Sequence, residues 1–254
     1  MPRIEIEGTP FFYAGTPAPA PPALLFCHGA GGSHRHWLYQ VEEFQQRAVA
    51  VDLPGHGASG GEAANTVATY REFLRRFSSA LHLNNFILAG HSLGGAVALD
   101  YALHHSDRLA GLILVASGAR LRVAPPLLEA CRAGELPPGL VEFAYGPAAP
   151  AELLESARQE MAALSPSTYY ADFSACNSFD CMDRLGEIDR PVLLICGAED
   201  KMTPPRYSRY LKDHLPQAEL VVIEKAGHMV MLEAPQAVNE AIASFVERVD
   251  GGGA

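Results

Sequence analysis

Six short apolar runs, separated by stretches with helical spacing, constrain this chain more than any other feature. They are Ala23–Cys27, Ala48–Val51, Asn85–Ala89, Leu109–Ala116, Pro191–Cys196 and Glu219–Ile223. A strand with one face in water alternates apolar and polar residues, whereas most of these runs are apolar at consecutive positions, as in strands covered on both faces. The segments between them have a different period. Val67, Tyr70, Phe73, Leu74, Phe77 and Leu81 share one face of a helix opened by Asn65-Thr66, and Ala96–Leu103 and Pro235–Val249 form two more helices. Alternating strand and helix predicts an α/β fold, with a parallel sheet joined by right-handed crossovers. Ile4–Ile6 and Phe11–Ala14 are too close for a crossover and predict an antiparallel hairpin at one sheet edge.

The alternation breaks once. From Ala119 to Glu187 there is no strand pattern, only short amphipathic pieces divided by Pro125-Pro126, Pro137-Pro138, Gly146-Pro147 and Ser165-Pro166. An insertion of this length reads as a helical lid. The expected division is therefore a core of residues 1–118 and 188–254 with a lid of residues 119–187. The proline-rich stretch 17–22 reads as a rigid connector, and the glycine-rich tail 251–254 as a frayed end.

Composition removes several function classes. With 48% apolar residues, 254 residues supply a large core, so the chain is not a disordered one. Its net charge of −10 repels nucleic-acid phosphates and anionic membrane surfaces. The five cysteines contain no CxxC pair, which speaks against structural zinc. The first residues lack the basic and apolar regions of a signal peptide, and no run approaches eighteen apolar residues. A cytoplasmic protein acting on a small molecule is expected, with no nucleic-acid or membrane partner. The oligomeric state is left open.

The sharpest local signal is Gly90-His91-Ser92-Leu93-Gly94-Gly95. A G-x-S-x-G match alone is weak, since chance gives about 0.1 matches in a chain of this size. Here it follows an apolar strand and opens a helix, the context that a nucleophile elbow needs. Ser92 is thus the candidate nucleophile, and it requires a base. Of ten histidines, His228 sits in a loop after the last apolar run, at the sheet edge expected for Ser92. His91 is adjacent to the serine and is expected to point away from it. His82, His104, His105 and His214 fall at helix ends. The carboxylate that orients the base is assigned to Asp200, directly after Pro191–Cys196, with Glu199 the nearest competitor. The other usual carboxylate position, after Leu109–Ala116, holds Ser117-Gly118. Backbone donors for an oxyanion are expected from Leu93 and from the small-residue loop His28-Gly29-Ala30-Gly31-Gly32, where Ala30 is the candidate.

Taken together, Phe26–Gly32, Asp52-Leu53-Pro54-Gly55-His56-Gly57, the Ser92 elbow, Cys196–Asp200 and Ala226-Gly227-His228 resemble an α/β-hydrolase-fold serine hydrolase. The resemblance is to the branch of small lidded esterases and C–C hydrolases, and it covers nearly the whole chain. It implies an eight-stranded, mostly parallel sheet, a lid after the sixth strand and no cofactor. It also implies a triad of Ser92, Asp200 and His228 and an oxyanion hole from the backbone of Ala30 and Leu93. Asp52–Gly57 is then a structural turn. Serine at the elbow sets the chain apart from the dehalogenases and epoxide hydrolases of this fold, which carry aspartate there.

The substrate pocket is expected to draw on His28, Arg35, Phe143, Tyr145, Tyr169 and Phe173, with Arg35 able to meet an anion. His34-Arg35-His36 lacks a downstream partner motif for a metal, and Cys176 and Cys181 are poorly spaced for a redox pair. Gly29-Ala30-Gly31-Gly32 lacks the Lys-Ser/Thr of a phosphate loop. The leading expectation is hydrolysis of a carboxylic ester, thioester or lactone through an acyl-enzyme. Carbon–carbon hydrolysis of a diketone and a non-catalytic ligand receptor are the alternatives.

Overall fold

The computed structural model describes residues 2–16, 22–136 and 138–251. The predicted connector therefore lies almost wholly outside the described residues, as does all but the first residue of the predicted tail. Eight strands among these residues form one sheet. They are β1 (Arg3–Ile6), β2 (Thr9–Gly15), β3 (Leu24–Cys27), β4 (Ala48–Val51), β5 (Phe86–His91), β6 (Leu109–Val115), β7 (Val192–Gly197) and β8 (Ala218–Ile223). Their spatial order is β1-β2-β4-β3-β5-β6-β7-β8. β1 and β2 form the expected antiparallel hairpin, and β2 pairs antiparallel with β4. All remaining pairs are parallel.

The consecutive apolar residues divide between two cores. Leu25, Cys27, Val49, Val51 and Leu88 face one layer, where Tyr70, Phe73, Leu74 and Phe77 of α2 (Val67–Ala80), the helix that follows α1 (Leu38–Glu43), pack. Leu24, Phe26, Ala48, Ala50 and Ile87 face the other, against Trp37 and against Val238, Ile242 and Phe245 of the C-terminal helix, Pro235–Gly251. Side chains alternate along a strand, so a strand buried on both faces has no position for a polar residue. α2 starts where predicted because the Thr66 hydroxyl accepts the Thr69 N–H.

β5 runs past Ala89 to His91, since Gly90 and His91 pair with Leu114 and Val115 of β6. α3 (Leu93–His105) follows immediately. Between β6 and β7 come α4 (Pro125–Arg132), α5 (Leu140–Ala144), α6 (Ala151–Ala163) and α7 (Pro166–Ser178). Pro125 and Pro166 do more than divide this segment. Each begins a helix, where a proline lacks only an N–H that would have no partner. No helix among the described residues is long and apolar enough to cross a membrane.

Candidate active site

The turn between β5 and α3 forces Ser92 to φ 51° and ψ −113°, a conformation that few non-glycine residues adopt. The crossing is possible only without neighbouring side chains. A Cβ on Gly90 would lie 2.1 Å from the Gly94 carbonyl oxygen, and one on Gly94 would lie 2.4 Å from that of Cys27. Ser92 is anchored through its own backbone. Its N–H donates to Val115 at 2.9 Å, and its carbonyl accepts from Ser117 Oγ at 2.8 Å. Ser117 thus occupies the position after β6 where a carboxylate was the alternative, and uses it to brace the serine.

Asp200 is buried beyond the end of β7, whereas Glu199 is exposed. Asp200 Oδ1 accepts the N–H groups of Met202 and Thr203 at 2.8 and 2.9 Å, and Oδ2 accepts from His228 Nδ1 at 2.9 Å. Burial pushes the Asp200 pKa up. The attraction of His228 and the hydrogen bonds from His228 and Thr203 outweigh it, so the net direction is down and the group stays ionised. The Thr203 hydroxyl lies 2.9 Å from Asp200 Oδ2 and 2.8 Å from the Ala116 carbonyl oxygen, and its one proton serves one of them at a time. The loop that carries His228 is held from both sides. His228 N–H donates to the Ala144 carbonyl at 2.8 Å, while Glu233 accepts the N–H groups of Gly146 and Gly227.

Ser92 and His228 line one cavity of about 310 Å³. Among the described residues no hydrogen bond joins Ser92 Oγ to His228. Such contacts are often long before substrate binds and tighten only in the complex. Ala30 borders the same cavity, and the Leu93 N–H opens α3 beside it. No partner within the described protein takes up either of these N–H groups. The Gly29–Ala30 peptide is tied at its carbonyl, which accepts from both His28 Nδ1 at 2.8 Å and Gly32 N–H at 3.1 Å. His28 keeps the required tautomer because Leu53 N–H donates to its Nε2 at 3.0 Å. Burial drives the His28 pKa well below the usual value, so it remains neutral.

Three positions need correction. His28 is fully buried beneath the loop and is not part of the cavity wall. Arg35 is also off the wall. Its side chain is 65% exposed, and it approaches Glu160 at 3.5 Å. Phe143, Tyr145, Tyr169 and Phe173 do line the cavity, and so does Glu160. His91 does not turn away. It lines the cavity, with its ring centroid 4.7 Å from that of His228 and its Nε2 3.0 Å from the His228 carbonyl oxygen. Burial keeps His91 neutral, and beside it burial lowers the His36 pKa to about 4. Thr203, Ser117, Glu233 and His91 had no signal in residue spacing, since each acts by a contact made only after the chain folds.

A model of the alpha/beta hydrolase family matches residues 24–241. The chain belongs to that family. It is 31% identical over 251 residues to the Agrobacterium fabrum protein named "Putative carbamate hydrolase RutD", covering 90% of this chain and 94% of that protein. It is 32% identical over 217 residues to the pimeloyl-[acyl-carrier protein] methyl ester esterase of Neisseria meningitidis, covering 79% and 83% of the two chains. Among solved structures, a thermophilic esterase superposes with a TM-score of 0.84 at 31% identity, covering 97% of both chains. As a member of this family the chain is a hydrolase.

Proposed function

We propose that this hydrolase cleaves a carboxylic ester with a small to medium, mostly apolar acyl group through an acyl-enzyme on Ser92. The observation that carries the reading is the ionised Asp200 bonded to His228 at 2.9 Å, with His228 facing the same cavity as the strained Ser92. In this mechanism Ser92 Oγ attacks the ester carbonyl carbon while His228 Nε2 takes its proton. The oxyanion so formed accepts from the N–H groups of Ala30 and Leu93. Collapse breaks the bond to the alkoxy oxygen, which leaves with the proton from His228. Water then attacks the acyl carbon, again deprotonated by His228, and the acid departs as Ser92 regains its proton. Asp200 holds the imidazole with its Nε2 toward the serine and stabilises the imidazolium.

We read residues 119–187 as a lid that sets acyl preference, because Phe143, Tyr145, Tyr169 and Phe173 line the cavity. A free carboxylate entering it would meet Glu160 and lose its hydration, a cost of several kcal/mol without a partner. Burial also raises the pKa of Glu160 itself, against the weaker opposing pull of Arg35. Thioesters, lactones and carbamates need the same groups, and the relative named for carbamate hydrolysis puts the last in the test panel. The five cysteines are unpaired and buried, which fits the cytoplasmic location that we infer. p-Nitrophenyl esters of increasing acyl length, assayed beside a p-nitrophenyl carbamate, test the reading. Hydrolysis of a neutral ester with a maximum at short to medium length supports it, and turnover of the carbamate alone contradicts it.

A further inference from the structure

Asp172 has no part in the mechanism above, yet its side chain is wholly buried and is bonded to three segments outside its own helix. Oδ2 accepts the Gly31 N–H at 2.8 Å and His56 Nε2 at 2.9 Å, and Oδ1 accepts the Tyr70 hydroxyl at 2.5 Å. The partners belong to the loop after β3, the turn after β4 and α2. A single carboxylate from α7 therefore ties the inserted helices to three parts of the core.

The cluster is charged, not merely polar. His56 Nδ1 lies 3.0 Å from the Pro54 carbonyl oxygen, so both ring nitrogens face acceptors. A neutral imidazole has one N–H, and only the imidazolium satisfies both. Burial opposes that charge, but the hydrogen bond and attraction of Asp172 prevail and raise the His56 pKa. An unpaired carboxylate at this depth would be strongly disfavoured, so the two charges sustain each other.

Its location gives the cluster a consequence for chemistry. Ala30 lies between two peptide planes. The one before it, which carries the Ala30 N–H, is held at the Gly29 carbonyl by His28 and by Gly32, the residue that follows Gly31, so its second tie depends on where Gly31 is placed. The one after it is held through the Gly31 N–H, among the described residues by Asp172 alone. Gly31 holds φ at +66°, and a Cβ there would lie 2.0 Å from the Tyr169 ring, so the segment is pressed between Asp172 and Tyr169 of the same helix. We propose that Asp172 is a positioning residue whose carboxylate, by anchoring Gly31, holds the Ala30 N–H in its oxyanion geometry and so makes the oxyanion hole depend on a seated lid. The inference rests on the reading of Ser92 as nucleophile and Ala30 as donor.

The test uses the full chain and p-nitrophenyl acetate, butyrate and octanoate. Removing one oxyanion donor costs roughly 10²–10³ in kcat, and displacing one costs less. Asp172→Ala is therefore expected to lower kcat about 10- to 100-fold, by one common factor on all three esters, with KM held within about twofold. Phosphonylation of Ser92 by a small fluorophosphonate should slow by a similar factor. Asp172→Asn, whose amide oxygen can still accept from Gly31 but without charge, should lose about 3- to 10-fold in kcat and thus recover part of the rate. If the alanine variant does not fold, the asparagine variant decides. A role in lid packing alone would move KM and the acyl-length profile instead. An unchanged kcat in whichever variant folds, or a loss that grows with acyl length, overturns the inference. Ser92→Ala keeps the two readings apart. Turnover that survives in it removes the nucleophile assignment and this inference together, whereas a silent Ser92→Ala beside unimpaired Asp172 variants removes only this one.

Discussion

In the proposed mechanism Ser92 must be activated, because a serine hydroxyl ordinarily has too high a pKa to attack an ester. Asp200 is held ionised, and that ion keeps His228 in the tautomer with Nε2 free. Groups that act as one unit lose their effect together. His228→Ala should therefore cost about as much as Ser92→Ala, roughly 10⁴–10⁶ in kcat, and the double variant no more than either. Asp200→Asn should be milder, while exposed Glu199→Gln should leave the rate unaltered; steady-state kinetics of the four single variants check both statements. Ser92, Asp200 and His228 were legible as candidates because each sits in a short motif next to a strand end. Asp172 was less visible, although the sequence held one sign. It shares a helical face with Tyr169 and Cys176, at spacings of three and four residues, and that face is buried. His91 was misplaced because adjacency to Ser92 says nothing about side-chain direction across so sharp a turn.

Strands and helices of the core were readable because a strand covered on both faces leaves a continuous apolar run. The inserted helices were harder to read. α6 has no fully buried residue and α5 spans only five, so their apolar periodicity is short and weak. What the insertion contributes is a cavity wall, and that depends on tertiary placement. Phe143→Ala and Phe173→Ala are expected to shift acyl-length preference and KM, as measured across p-nitrophenyl esters. Phe143 is half exposed, so its loss should leave labelling of Ser92 by a small probe close to that of the wild type. Tyr169→Ala should behave differently and slow labelling as well, because that ring also presses on Gly31. At the start of α2, Thr66→Ala removes a cap and should lower stability by about 1 kcal/mol in urea unfolding, without altering kcat.

Over the whole molecule, buried histidines set how stability responds to pH. His28, His36 and His91 are held neutral by burial, with folded pKa values below the ordinary 6.5. In the unfolded chain they take up protons as pH falls through 6.5, and in the folded chain they resist. Their contribution is therefore complete above 6.5 and is lost as pH drops toward 4. His56 has the opposite sign. Its folded pKa is raised, so its contribution is present below 6.5 and is lost as pH rises through the folded value. The two effects act on opposite sides of 6.5, and Tm is expected to peak near that pH and fall more steeply on the acid flank, where these three buried histidines act together with the less buried His105, whose pKa is also lowered. A scan of Tm from pH 4 to 9 shows whether it does. This α/β-hydrolase chain is proposed to work through a covalent intermediate on one serine. Treating the intact protein with a fluorophosphonate probe and weighing it by mass spectrometry tests that most directly. A single adduct per chain, mapped to the peptide containing Ser92 and absent in Ser92→Ala, is the predicted result; an adduct on another serine, or full turnover by a chain labelled at Ser92, would rule out Ser92 as the nucleophile.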